Sequence, residues 1–136
     1  MNIITRGTNS TLIFTLEEKR TLSIPYFLVR MTSRSGRNLK RFILPSDQSA
    51  SVARYNKFTV TETDSAEILT SGTVTLKPTG FWDYEIYEQL SSTNLAEALA
   101  TNAKPIETGV MLVKSPATAD TYFNEVSGTT NKFYGQ

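Results

Sequence analysis

The sequence predicts an all-β domain, specifically an immunoglobulin-like antiparallel β-sandwich of about seven or eight strands with an extended C-terminal arm. Three observations lead there. Thr, Val, Ile, Phe and Tyr recur in short alternating runs, Gly, Pro, Ser and Asn cluster between them, and almost no stretch carries a helical repeat.

The elements follow in chain order. A short strand is expected near Ile3 to Thr5. In Ser10 to Leu16, Leu12, Phe14 and Leu16 alternate with Thr11, Ile13 and Thr15, which puts the first set on a core and leaves a mixed outer face. Ile24 to Ser33 is apolar on both faces and suits a central strand, with Pro25 confined to its start because it cannot donate to a ladder. Ser33 to Gly36 reads as a hairpin turn in which Gly36 is free to take positive φ. Leu39 to Leu44, Asn56 to Thr63, Gly72 to Leu76, Phe81 to Leu90 and Ile106 to Lys114 complete the set. Asn94 to Ala103 has a capping-type Asn and good helix formers, yet its ten residues before Pro105 allow a turn or two at most.

These strands define a sandwich over residues 1–115 and leave 116–136 as an arm. The arm is rich in Ala, Thr, Asp, Ser and Gly, with spaced aromatics at Tyr122, Phe123, Phe133 and Tyr134. Such a segment cannot bury much of itself, but each ring can enter a pocket on a neighbour. A loose terminus is the plainer alternative.

Composition excludes much chemistry. The chain has no Cys and no His, which removes thiol nucleophiles, Ser-His-Asp triads and zinc fingers. No cofactor or metal is expected, and no enzyme activity. Net charge is +1, from 14 basic and 13 acidic side chains, so no long-range field selects nucleic acid. Met1 to Thr15 shows no basic region followed by a long apolar run, and no segment reaches the roughly 20 apolar residues of a membrane helix. The expectation is a soluble protein without a membrane or nucleic-acid partner.

In Gly80-Phe81-Trp82-Asp83-Tyr84-Glu85-Ile86, Tyr84 sits two residues before a core position on the penultimate strand, where immunoglobulin-like domains place a tyrosine corner; Ile86 would hold the place of the antibody Cys. Alternation sets Trp82, Tyr84 and Ile86 on one face and Phe81, Asp83, Glu85 and Tyr87 on the other. The Trp face is the better core. Exposed Phe81 and Tyr87 beside Asp83 would offer a platform for a sugar. Asp83, Glu85 and Glu88 are the densest acidic group. Asp83 and Glu85 share a strand face at about 7 Å, and solvated carboxylates are the ordinary reading over glycoside hydrolysis or Ca²⁺ binding.

Three segments carry a resemblance. They are Phe42-Ile43-Leu44-Pro45-Ser46-Asp47 continuing to Ala53-Arg54-Tyr55-Asn56-Lys57-Phe58-Thr59-Val60, then Gly80 to Gln89, then Glu107-Thr108-Gly109-Val110-Met111-Leu112-Val113. In this order they resemble small structural virion proteins of tailed bacteriophages, of the capsid auxiliary or decoration type, and the N-terminal β-sandwich of phage baseplate upper proteins. The resemblance spans Ser10 to Lys114. It implies a head auxiliary protein in the virion, made in the host cytoplasm, that docks on the major capsid protein or on tail or baseplate subunits and forms a homo-oligomer in the particle. A tail or baseplate adaptor and a carbohydrate-binding module are the alternatives. It also implies scaffold roles for Arg54, Tyr55, Asn56, Phe58, Gly80, Tyr84, Tyr87, Glu88, Glu107 and Gly109. No receptor-binding domain is recognised in the sequence after the sandwich, so a stand-alone auxiliary subunit is the expectation.

Arg54 follows a Ser, Asp and Gln loop, where its guanidinium could bridge loop carbonyls and a carboxylate such as Glu88 or Glu107. Asn56 has the residue type for an Asx-turn or a positive φ. Arg30, Arg34, Arg37, Lys40 and Arg41 gather around one hairpin, the only local charge asymmetry. Arg34, Arg37 and Arg41, with Tyr122, Phe123, Phe133 and Tyr134, are therefore the candidate partner contacts. A solvated edge that resists aggregation explains the same charges without a partner.

Overall fold

The computed structural model describes residues 1–23, 25–51, 54–102 and 104–116. Its elements are β1 (Ile3–Thr5), β2 (Asn9–Phe14), β3 (Tyr26–Ser33), β4 (Leu39–Ile43), β5 (Asn56–Glu62), β6 (Thr73–Val74), β7 (Gly80–Gln89) and β8 (Glu107–Lys114). Each expected strand is present, with ends moved by at most two residues; the Gly72 to Leu76 strand shortens to Thr73–Val74. The Asn94 region forms a single 3-10 turn, Glu97–Leu99. The Asn94 carboxamide oxygen accepts from the Ala96 N–H, and its amide group donates to Gln89 and to the Ala96 carbonyl.

A five-stranded sheet ordered β1-β8-β7-β3-β4 faces a three-stranded sheet ordered β2-β5-β6. The β8-β7-β3-β4 run matches the G-F-C-C′ order of immunoglobulin-like sandwiches, and β2-β5 matches B-E. The sandwich is not wholly antiparallel: β1 joins β8 and β6 joins β5 in parallel. Both exceptions are short strands at sheet edges, where a few parallel bonds cost little and blunt an otherwise open ladder.

Inner-facing side chains make the core. Leu12, Phe14, Val29, Met31, Phe42, Phe58, Val60, Trp82, Ile86, Met111 and Val113 are all buried in one cluster. Phe14 meets Tyr84 edge-on at 5.6 Å between ring centres, and Phe27 meets Phe58 at 6.0 Å. Trp82 is fully buried, and its indole N–H donates to the Pro78 carbonyl at 3.0 Å, which satisfies the one polar atom it brings inside.

Two buried glutamates close the loops. Glu62 on β5 accepts from the N–H groups of Gly7 and Leu76 at 2.7 and 2.9 Å and pairs with Arg6. Glu88 on β7 accepts from the N–H groups of Thr21 and Leu22, from the Thr21 hydroxyl and from the Asn102 amide. Burial opposes ionisation of Glu88, but these donors outweigh it and hold the carboxyl below its ordinary range. Asn56 lies in β5, in neither an Asx-turn nor a positive φ. Its side-chain oxygen accepts from the N–H groups of Leu16 and Glu17, and its amide donates to Asp47.

Two further expectations are corrected. In the β3–β4 hairpin Arg37, not Gly36, takes positive φ (55°). Arg37 N–H donates to the Ser33 carbonyl and Gly36 N–H to the Ser33 hydroxyl, so the turn reverses one residue later than the Gly suggests. Tyr84 forms no tyrosine corner: its hydroxyl donates to Glu107 on the adjacent β8 at 3.1 Å instead of to backbone upstream. Its ring lies flat over Gly109, where an added Cβ would come within 2.8 Å of the hydroxyl. Gly109 is therefore fixed by the ring across the ladder.

Candidate functional site

The outer face of the five-stranded sheet carries Phe81, Asp83, Glu85 and Tyr87 together with Arg30, Arg34 and Arg41 of the basic cluster. Strand register arranges them in rows across the ladder. At one end Ile3, Leu112 and Phe81 stand side by side on β1, β8 and β7. Ile3 is 42% exposed and Phe81 48%, and Leu39 is also exposed one row further in.

The middle of the face is ionic. Arg34 binds Asp83 through Nε and Nη2 at 3.0 and 2.8 Å. Arg30 pairs with Glu85 at 2.9 Å and approaches Glu97 at 3.3 Å, and Arg41 binds Glu97 through Nε and Nη2. The Arg41 hydrogen bond holds the Glu97 carboxyl below its usual range. Lys40, on the opposite face of edge strand β4, pairs with Glu67. The basic cluster is thus mostly neutralised inside the fold. Among its members only Arg37 lacks an ion pair among the described residues.

The far end is roofed. Leu28, Ile43 and Tyr87 are buried beneath Ala100 and Leu95, because the long connection between β7 and β8 folds back over them. Burial, followed by the Glu85 carboxylate that accepts a hydrogen bond from it at 2.7 Å, pushes the Tyr87 hydroxyl up to about 12. This overturns the proposed sugar platform of Phe81, Tyr87 and Asp83: Tyr87 is only 5% exposed, so no aromatic pair faces solvent there. Sequence alternation placed Tyr87 on the outer face correctly but gave no sign of the cover.

Arg54 is exposed, and neither Glu88 nor Glu107 meets it. Glu88 is held by loop donors, and Glu107 takes Tyr84 and Lys19. Tyr55 is half-buried and its hydroxyl accepts from Ala50 N–H, and Phe58 is core. Tyr122, Phe123, Phe133 and Tyr134 lie outside the described residues.

Two open clefts lie among the described residues. One, of about 360 Å³, lies between Met1, Ile13, Tyr84, Glu107 and Val110; the other, of about 250 Å³, between Arg20, Pro25, Phe27 and Asp47. The charged side chains in both are already paired: Glu107 with Tyr84 and Lys19, Arg20 with Glu17, and Asp47 with Asn56 and the N–H groups of Ser49 and Lys57. Among the described residues no three acidic side chains converge as metal ligands, and no helix is long and apolar enough to cross a membrane. Sequence reasoning missed Ile3, Val110 and Leu112 as surface residues. Their signal was the run Val110-Met111-Leu112-Val113, apolar at successive positions and so greasy on both faces of an outer strand.

The chain matches no family model, no curated protein and no solved structure.

Proposed function

We propose that this domain is a non-enzymatic structural component of a bacteriophage particle, a head auxiliary or decoration protein that docks on capsid subunits. The observation that carries the reading is the row of exposed Ile3, half-buried Leu112 and exposed Phe81 on a sheet where Arg30, Arg34 and Arg41 are paired within the fold. An apolar strip whose inner side borders paired charges costs little to desolvate there, which suits a packing surface better than a reactive one. Asp83, Glu85, Glu88 and Glu107, the carboxylates nearest to any catalytic arrangement, are each committed to Arg, Lys, Tyr or backbone donors. The resemblance of the Phe42, Gly80 and Glu107 segments to virion proteins supplies the setting.

The test is peptide mass spectrometry of particles purified from infected cells, after separation of heads from tails. Peptides of this chain in the head fraction, at a copy number comparable with the capsid subunit, are expected. Peptides confined to tails would make it a tail or baseplate adaptor, and their absence from particles would end the virion reading.

A further inference from the structure

We infer that the Ile3, Leu112 and Phe81 row is the seat for residues 117–136 of a neighbouring copy of this chain, anchored by Tyr122 and Phe123; the inference rests on the assembly reading above. The row lies where β8 ends. Leu112 precedes Lys114, the last residue of the strand, by two positions, and the chain leaves the sheet through Ser115 and Pro116. Pro116 disfavours helical or tightly turned backbone at Ser115, so the strand does not reverse at that residue. Tyr122 and Phe123 stand six and seven residues beyond Pro116, a reach of roughly 20 Å when extended. Returning to their own sheet demands an early reversal, whereas a neighbour's face ahead demands none.

Charge agrees with this direction. Arg37 and Lys114, exposed and without an ion pair among the described residues, rim the apolar row. In the arm, Asp120 and Glu125 bracket Tyr122 and Phe123. An acidic-flanked aromatic pair on a basic-rimmed apolar strip brings opposite charges together at the edge and buries rings at the centre.

Because the chain has no Cys, crosslinking can be addressed to single positions. Full-length Thr5→Cys protein, with its label on β1 two residues from Ile3, is mixed at high concentration with full-length Asn124→Cys protein and treated with a short bis-maleimide. The predicted major product joins one chain of each kind. It should fall about tenfold when Phe81→Asp is added to the Thr5→Cys partner, and equally when Tyr122→Ser and Phe123→Ser are added to the other; the second pair lies outside the sandwich and guards against misfolding. No mixed product, a mixed product indifferent to both changes, a dominant Thr5-to-Thr5 product, or crosslinking only within one chain of the double-Cys protein would each overturn the inference. The assay uses this protein alone. A negative crosslink with the protein still present in particles removes the arm contact only, whereas absence from particles removes the broader reading.

Discussion

The two outer faces of the sandwich are built from opposite materials. On the three-stranded sheet, Asn9, Thr11, Thr59, Thr61 and Thr73 dominate, and Thr61 and Thr59 donate to the side chains of Asn9 and Gln48 at 2.8 Å. Ile13 is its single exposed large apolar residue. The five-stranded sheet instead carries a roofed apolar end, an ion-paired middle and an open apolar end. β-Branched hydroxyl residues satisfy strand propensity while remaining comfortable in water. A face of that kind needs nothing on top of it. The other face has already recruited part of its own chain as a cover, and its uncovered end has the same chemistry.

That contrast breaks most severely at the roofed end. Tyr87→Ala removes a buried ring from beneath Ala100 and Leu95 and should cost about 3 kcal/mol in denaturant unfolding. Glu88→Ala strips the acceptor from the N–H groups of Thr21 and Leu22 and should cost about 2 kcal/mol. Gly109→Ala, between the two ends, drives a methyl into the Tyr84 ring and is expected to cost about 1 to 2 kcal/mol while weakening the Tyr84 to Glu107 bond.

Titration sharpens the comparison further. Glu88, near the roofed end, and Glu97, paired with Arg30 and Arg41 in the ionic middle, have lowered folded pKa values, so their contribution is full above the ordinary value of 4.5 and disappears as pH falls through the lowered values. Tyr87 shifts the other way: with its pKa raised from 10.0 to about 12, its contribution is full below 10 and is lost as pH climbs toward 12. Unfolding midpoints should decline in both windows, and Tyr87→Phe should flatten the alkaline decline. The smallest effect belongs to the opposite sheet. Thr11→Val with Thr59→Val, facing each other across the β2–β5 ladder, should change stability by no more than about 0.5 kcal/mol and leave both pH limbs in place.

The strands were legible because alternation is local. Leu12, Phe14 and Leu16 identify the inward side of their segment without reference to any other, and the Trp82 face is core as its size suggests. Pairing was less legible. The parallel joins of β1 to β8, distant in sequence, and of β6 to β5, across a short crossover, leave no trace in local alternation. The site was legible in part: Phe81 is exposed as alternation allows, but the burial of Tyr87 depends on a connection folding over it. The basic cluster was visible as charge and invisible as a set of pairs, since Asp83, Glu85, Glu67 and Glu97 arrive from other segments.

The central claim is that the open end of the five-stranded sheet is a docking surface, and particle co-sedimentation of Phe81→Asp beside the unaltered chain tests it most directly. Phe81 is half exposed, so the variant should unfold at nearly the same midpoint as the parent yet stay in the supernatant while the parent pellets with particles. Equal pelleting of the two proteins, with both folded, would contradict the account.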